Sequence, residues 1–493
     1  MSWNPTGKAI DLAKLIRKGR MSAVEATQAA IARIEKLDPQ INAVVVRDFE
    51  SAIKQAKILD NNFSHLDKKN QPLYGVPVTV KESYHLKGHP TTWGNPAWKK
   101  IKLEKDAVLV DYLRQSGAII LGKTNVPVNL ADWQTFNPIY GTTNNPYDIS
   151  KIPGGSSGGA AAALAAGLTN LEIGSDIGGS IRGPAHFCGV FGLKATLGLV
   201  SAVGHAKPNE FADPDIGAFG PLARYSDDLS LGFDITLGPD QIRHPRLMNT
   251  RQEVQDRRLD KNVKHWRIGV LLDSKTAPVD DVIQEKIMQV TQRLSAAGAQ
   301  VSFGGPSFEH GQIHQLFIHL LRAATSDGLT DQAYEQMQKK YYKIKHLKNS
   351  TNYDYERWLI KGSTLTHRDW LYANEERAKF WQIWQSWFSQ YDVLICPAAC
   401  FPAFKHNQQG QRWERKIKVN GKDQPSTQTM FWAGLGGMFG MPGLSVPAGQ
   451  TSGGLPVGIQ LYGNHYSEPK LIALAQLLEK EFGCQYQPPP MAL

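Results

Sequence analysis

Several features that would mark a protein class are scarce or missing in this chain. It has four cysteines in 493 residues, too few for a disulfide framework and in keeping with reducing surroundings. Cys396 and Cys400 form a C-x3-C pair with His406 beyond them. No fourth ligand stands at a zinc-like spacing, so both read as ordinary buried thiols and no metal is expected. No run approaches the ~18 apolar residues of a membrane span. The opening MSWNPTGKAIDLAKLIRKGR lacks the apolar core of a secretory signal, which makes a cytoplasmic location the expectation. Repeats and low-complexity tracts are missing. So are G-x-x-x-x-G-K-[ST] and a G-x-G-x-x-G placed after a strand, which leaves nucleotide chemistry without a motif.

What remains is the composition of an ordinary folded enzyme, with 41% hydrophobic and 20% charged residues. The net charge of +10 is scattered; its densest clusters are Lys99–Lys105 and Lys339–Lys348. The second mixes lysine with tyrosine and could touch an anionic surface, but a solvated helix face is the preferred reading. No nucleic-acid partner is expected.

The chain is organised around Lys151–Gly198, where two Gly/Ser knots, Gly154–Gly159 and Gly178–Ser180, flank the Ala-rich segment Ala160–Ala166. Glycine lets the backbone approach a ligand closely, and serine brings a hydroxyl that can be nucleophile, relay or cap. The apolar helix between them makes an active-site floor a better reading than a linker.

Around this centre the periodicity gives a βα rhythm. Helices are expected at Ala9–Arg17, closed by Gly19, and from the Ser22/Glu25 capping box to about Leu37, with Pro39 ending it. Ile41–Val46 and Gly75–Val80 read as strands, the second delivering Lys81 at its end, where α/β sheets place chemistry. A helix at Asp106–Gln115 and a strand at Ala118–Leu121 follow. Arg267–Leu272, Val279–Ala297 and the strand from Val301 repeat the pattern. Seven of twelve tryptophans lie between Trp358 and Trp432. Phe380, Trp381, Trp384, Trp387 and Phe388 at helical spacing read as a core-facing stripe. Lys405–Thr427 reads as a surface loop or lid.

The central chemistry admits four readings. Gly155–Gly159 fits G-x-S-x-G with Ser157 as nucleophile, but prolines bracket the segment that should be its preceding strand. Phosphate and dinucleotide cradles lack their motifs. The fourth reading joins two serines to a lysine base. In its favour, GVPVTVKES (75–83), GKTNVP (122–127), YGTTNNPYDISKIPGGSSGG (140–159), GSDIGGSIRGPAHFCGVFGLKAT (174–196), GPLAR (220–224), MPGLSVPAG and GLPVGIQ occur in order along nearly the whole chain. With the 24-residue spacing of Ser156 and Ser180 (180 − 156), the chain resembles the amidase signature family.

The resemblance implies a single amidase domain over residues 1–493, with a catalytic core at 75–200. The implied fold is a large, mostly parallel, twisted mixed β-sheet with helices on both faces. It also implies Ser180 as the acyl-forming nucleophile, Ser156 after a cis peptide as the bridging serine, and Lys81 as the base. Backbone N–H groups of Ile177, Gly178, Gly179 and Ser180 would form the oxyanion hole. Asp176 and Arg182 would hold the loop, and Ser157 would cap the Ala160 helix. Elementary chemistry agrees: a serine hydroxyl needs a base, and burial at a strand end lowers a lysine pKa enough to supply one.

The match weakens at 125–137 and 305–430, the latter shaping much of the substrate pocket in the family. Trp133, Phe136, Phe431, Trp432 and Phe439 are candidate lining residues, which points to apolar or aryl amides. The expected activity is hydrolysis of a small-molecule amide C–N bond without cofactor. The alternatives are a transamidating, ammonia-generating component of a tRNA-dependent amidotransferase, or an inactive scaffold. A homodimer is compatible with this reading.

Overall fold

The computed structural model describes residues 4–65, 70–207, 210, 212–238, 254, 262–346 and 351–493. Leu347 and Lys348, at the end of the basic stretch, lie outside the described residues.

Two sheets carry the site. The smaller places Ile119–Thr124 between Val44–Arg47 and Pro77–Lys81. Its Pro77–Lys81 strand opens on proline, which has no N–H to donate and so suits a first strand position. Val78, Thr79 and Val80 then supply β-branched residues, and all five positions are buried. It pairs in parallel with Ile119–Thr124, and the helix Val108–Gln115 makes the crossover.

The larger sheet has eight strands in the order Gln300–Phe303, Arg267–Val270, Val393–Pro397, Pro456–Tyr462, Gly443–Gln450, Phe191–Lys194, Ala218–Ala223 and Glu172–Asp176. Every residue of Pro456–Tyr462 is buried, so both faces of this central strand are covered. Its alternate residues Gly458, Gln460 and Tyr462 meet His186 and Arg182 of the helix Arg182–Cys188 on one face.

The expected α/β architecture with a large mixed sheet is present, but parallel pairs are the minority. Two of the seven pairings are parallel and five antiparallel. The reason lies in the connections. Gly443–Gln450 returns into Pro456–Tyr462 through a short turn, and only an antiparallel partner can be reached that way. Where a full helix intervenes, as Asp281–Ala296 does between Arg267–Val270 and Gln300–Phe303, the pair is parallel.

The capping box at Ser22 and Glu25 is formed, but Pro39 does not end its helix. The helix runs on to Ile41 and closes on left-handed Asn42. Asp38 holds this last turn: its carbonyl accepts from Asn42 N–H, and its carboxylate accepts from the N–H groups of Ala43 and Val44. The aromatic stripe sits in the helix His367–Phe388, with Trp384, Trp387 and Phe388 buried in the core as expected. The segment 405–427 is only partly loop, since Lys416–Val419 and Lys422–Pro425 form a hairpin. All four cysteines are free and buried. Among the described residues no group of three or more His, Cys, Asp or Glu could hold a metal ion, and no helix is long and apolar enough to cross a membrane.

Candidate active site

Lys81 stands at the end of its strand, fully buried, and its amine joins the two sheets. Nζ lies 2.7 Å from Ser156 Oγ, 2.8 Å from Ser157 Oγ and 2.9 Å from Ser175 Oγ. Burial pushes its pKa down to about 7, against the pull of Asp176 and Glu172. Glu172, on the strand that carries Ser175, is itself pushed up to about 8 by burial. Near neutrality it is therefore protonated and weakens that pull. An amine in this state can take a proton from a hydroxyl, which an ordinary lysine at pH 7 cannot.

Ser156 and Ser157 reach Lys81 because the first knot turns sharply. The Gly155–Ser156 peptide is cis. A Cβ on Gly155 would sit 2.3 Å from Asp132 O, so no other residue fits there. Ser157 does occupy the first position before the helix Gly158–Ala165, but its hydroxyl makes no cap. It is turned to Lys81 instead, and the expected capping role gives way to a place beside the amine.

The second knot is set by an ionic fork. Asp176 accepts from Arg182 Nε at 2.9 Å and Nη2 at 2.8 Å, with both side chains fully buried. Burial opposes ionisation of Asp176, but the Arg182 guanidinium holds its pKa well below the usual carboxylate range. Arg182 Nη1 also donates to Ala433 O, Gln460 Oε1 and the Tyr462 hydroxyl, which fixes the loop to the C-terminal hairpin. Asp176 also accepts from the N–H groups of Gly179 and Ile181, at 2.8 and 3.1 Å.

The knots meet where Ser157 N–H donates to Ser180 C=O at 3.1 Å. Ser180 is 6% exposed. Ser156 Oγ and Ser180 Oγ share no hydrogen bond here, so the chain from Lys81 ends at Ser156. A serine hydroxyl that changes rotamer can close that gap, and such bonds commonly tighten only with substrate in place.

A family model described as Amidase matches residues 25–472. The chain belongs to the amidase signature family. It is 32% identical to a glutamyl-tRNA(Gln) amidotransferase subunit from Alkaliphilus metalliredigens, over 95% of this chain and 96% of that one. It is 30% identical to human fatty-acid amide hydrolase 2, over 96% and 88%. Among solved structures, a vestigial protein complex linked to the origins of an s-triazine catabolic enzyme superposes with a TM-score of 0.79 at 26% identity, covering 98% of this chain and 100% of that one.

A Ser-Ser-Lys triad and an oxyanion hole are typical of the amidase signature family. Of the four backbone donors expected here for that hole, Gly179 N–H is already committed to Asp176 Oδ1 at 2.8 Å. Gly179 has φ +94°, and a Cβ there would lie 2.6 Å from the Trp133 ring, so the loop needs glycine to pass under that indole.

Trp133 lies against this amidase loop, its Nε1 donating to Gly178 C=O at 2.9 Å. The other expected lining residues have these partners. Phe431 packs on His310 and Trp432 in the core. Trp432 is fully buried and donates to Ala277 O. Phe439 packs on Trp381 and Trp384, and Phe136 lies under Arg415. The neighbours of Gly178 are Met430, Leu321 and Phe317, at 3.4, 3.7 and 3.8 Å from the place a Cβ would take. Ser175 is the other residue that sequence reasoning passed over. Its only signal is a hydroxyl one position before Asp176 on the strand Glu172–Asp176.

Proposed function

We propose that the chain is a serine amidohydrolase in which Ser180 Oγ attacks an amide carbonyl. The proton passes through Ser156 to neutral Lys81. The tetrahedral oxyanion is met by the N–H groups of Ile177, Gly178 and Ser180. Collapse breaks the C–N bond, the leaving amine takes the proton back through Ser156, and water then hydrolyses the ester on Ser180. The observation that carries this reading is the buried Lys81 amine, lowered to about 7 and within 2.9 Å of three hydroxyls. The wall of Phe317, Leu321, Met430 and Trp133 supports an apolar or aryl substrate body. The whole chain is taken as one amidase domain, acting on a small-molecule amide in the cytoplasm.

A panel of anilides, aliphatic amides, carbamates and esters, given with a fluorophosphonate probe, tests it. Turnover of an amide and labelling that disappears in Ser180→Ala support the reading. An unlabelled wild-type protein with no turnover would instead mark a scaffold. The 32% identity to a component of a glutamyl-tRNA(Gln) amidotransferase favours a second reading, a transamidating protein that works in a complex beside tRNA. Hydrolysis of simple amides by the isolated chain speaks against it; glutamine turnover that appears only with partner proteins speaks for it.

A further inference from the structure

Beyond Met430 the pocket wall changes character. The helix His310–Ala323 that brings Phe317 and Leu321 to Gly178 carries Arg322 next in sequence. Arg322 is 7% exposed, yet among the described residues it has no carboxylate partner. Its Nη2 donates to the Tyr355 hydroxyl at 2.6 Å, and its Nε is buried with no partner at all. Tyr355 in turn donates to Met430 Sδ at 3.3 Å, so tyrosine, methionine and the Gly178 loop form a continuous line of contacts.

A second cation, Arg412, is close enough to feel the charge of the first. Arg412 donates from Nη1 to Ala131 O, just ahead of Trp133, and its Nε is also buried without a partner. Burial and then the charge of Arg322 push its pKa down to about 10. The nearby carboxylate, Asp132, is taken by Arg415 at 2.6 Å. Arg322 thus keeps a buried Nε with no partner, and no carboxylate pairs with it among the described residues. An uncompensated buried charge is costly, and a planar carboxylate placed on its fork relieves it.

We propose that Arg322, with Tyr355, is an anion subsite of the acyl-transfer pocket, so that the preferred amides carry a carboxylate joined to the scissile bond by an apolar spacer. This rests on the amidohydrolase reading and narrows its substrate class. The hydrocarbon of the spacer lies on Phe317, Leu321 and Met430, and the carboxylate takes the N–H groups of Arg322.

The test uses matched pairs on the full chain. In one, glutaryl-4-nitroanilide is set against pentanoyl-4-nitroanilide, with the charge on the acyl side. In the other, N-butyryl-4-aminobutyrate is set against N-butyryl-butylamine, with the charge on the amine side. The wild type should favour the charged member of one pair by about 30-fold or more in kcat/KM, the range expected for a buried charged hydrogen bond. Arg322→Gln should shrink that ratio to about threefold or less, and Arg322→Lys should recover part of it. Preference for the neutral member in both pairs, or equal losses on both members in Arg322→Gln, overturns the subsite. Calorimetry with glutarate keeps the two readings apart. Glutarate binding that is lost in Arg322→Gln, in a protein that cleaves no amide, sinks the hydrolase and keeps the subsite. Cleavage of neutral amides by a wild type that binds no glutarate keeps the hydrolase and sinks the subsite.

Discussion

Lys81 and Lys194 are both fully buried, and burial pushes both down to about 7. Their company differs. Lys194 Nζ faces only carbonyl oxygens among the described residues, Met441 O at 2.9 Å and Ala195 O at 3.4 Å, whereas Lys81 faces three hydroxyls besides Ser175 O at 3.4 Å. A carbonyl can only accept, so the Lys194 amine serves it by donating and its lone pair meets no proton. A hydroxyl can do either, so the Lys81 lone pair has a proton to take. A perturbed pKa therefore does not by itself mark a base; the partner's ability to give up a proton does.

The strongest way to break this comparison is to remove what the base serves. Ser180→Ala should cut kcat by about 10⁴-fold or more, as loss of a nucleophile does elsewhere. Next, Lys81→Met should lower kcat/KM by about 10³-fold, while Lys194→Met should leave the folded fraction within about threefold of wild type and act through stability. Equal kinetic losses in the two variants would erase the distinction. The pH profile sharpens it. If Lys81 is the proposed base it must be neutral, so kcat/KM should rise with pH up to about 7 and then level off, and an activity that falls across that range would contradict the assignment. Ser175→Ala should cost about tenfold by taking one hydroxyl from the amine, measured beside Ser445→Ala, a buried serine whose hydroxyl has no partner. The smallest effect is on folding. A lysine held at about 7 in the native state and near 10.5 when unfolded takes up a proton on unfolding between those values. Stability should therefore rise with pH over that window, and less so in Lys194→Met, as read by denaturant melts.

What the sequence makes legible is local or motif-borne. The capping box at Ser22 is written in two residues. The stripe Ile283, Ile287, Val290 and Leu294 is written at helical spacing and is buried as read. Lys81 at the end of a β-branched run is legible in the same way. The rest depends on long-range choices. Two parallel pairs fall where a βα rhythm can be read, between 77 and 124 and between 267 and 303. The third, Val393–Pro397 on Arg267–Val270, and most antiparallel pairs join strands far apart in the chain, where no such rhythm runs. Asp38 overrides Pro39 with a side chain that no pattern weighs. Ser157 had a plausible cap to make, and a lysine 76 residues away drew its hydroxyl off. Ser175 and Arg322 are set by neighbours on other elements, and composition says nothing of them. The lining aromatics show the same limit. Their number was visible, but the helix that faces Gly178 could be told only once the chain had folded.

The fork on Arg182 has a consequence in time. The loop that holds Ser180 is anchored to Ala433, Gln460 and Tyr462, which leave the ribosome about 250–280 residues after it. A nascent chain shorter than that carries the Ser180 hydroxyl without its mount. If Ser180 is the proposed nucleophile, chains cut off ahead of residue 462 should take up no fluorophosphonate at all.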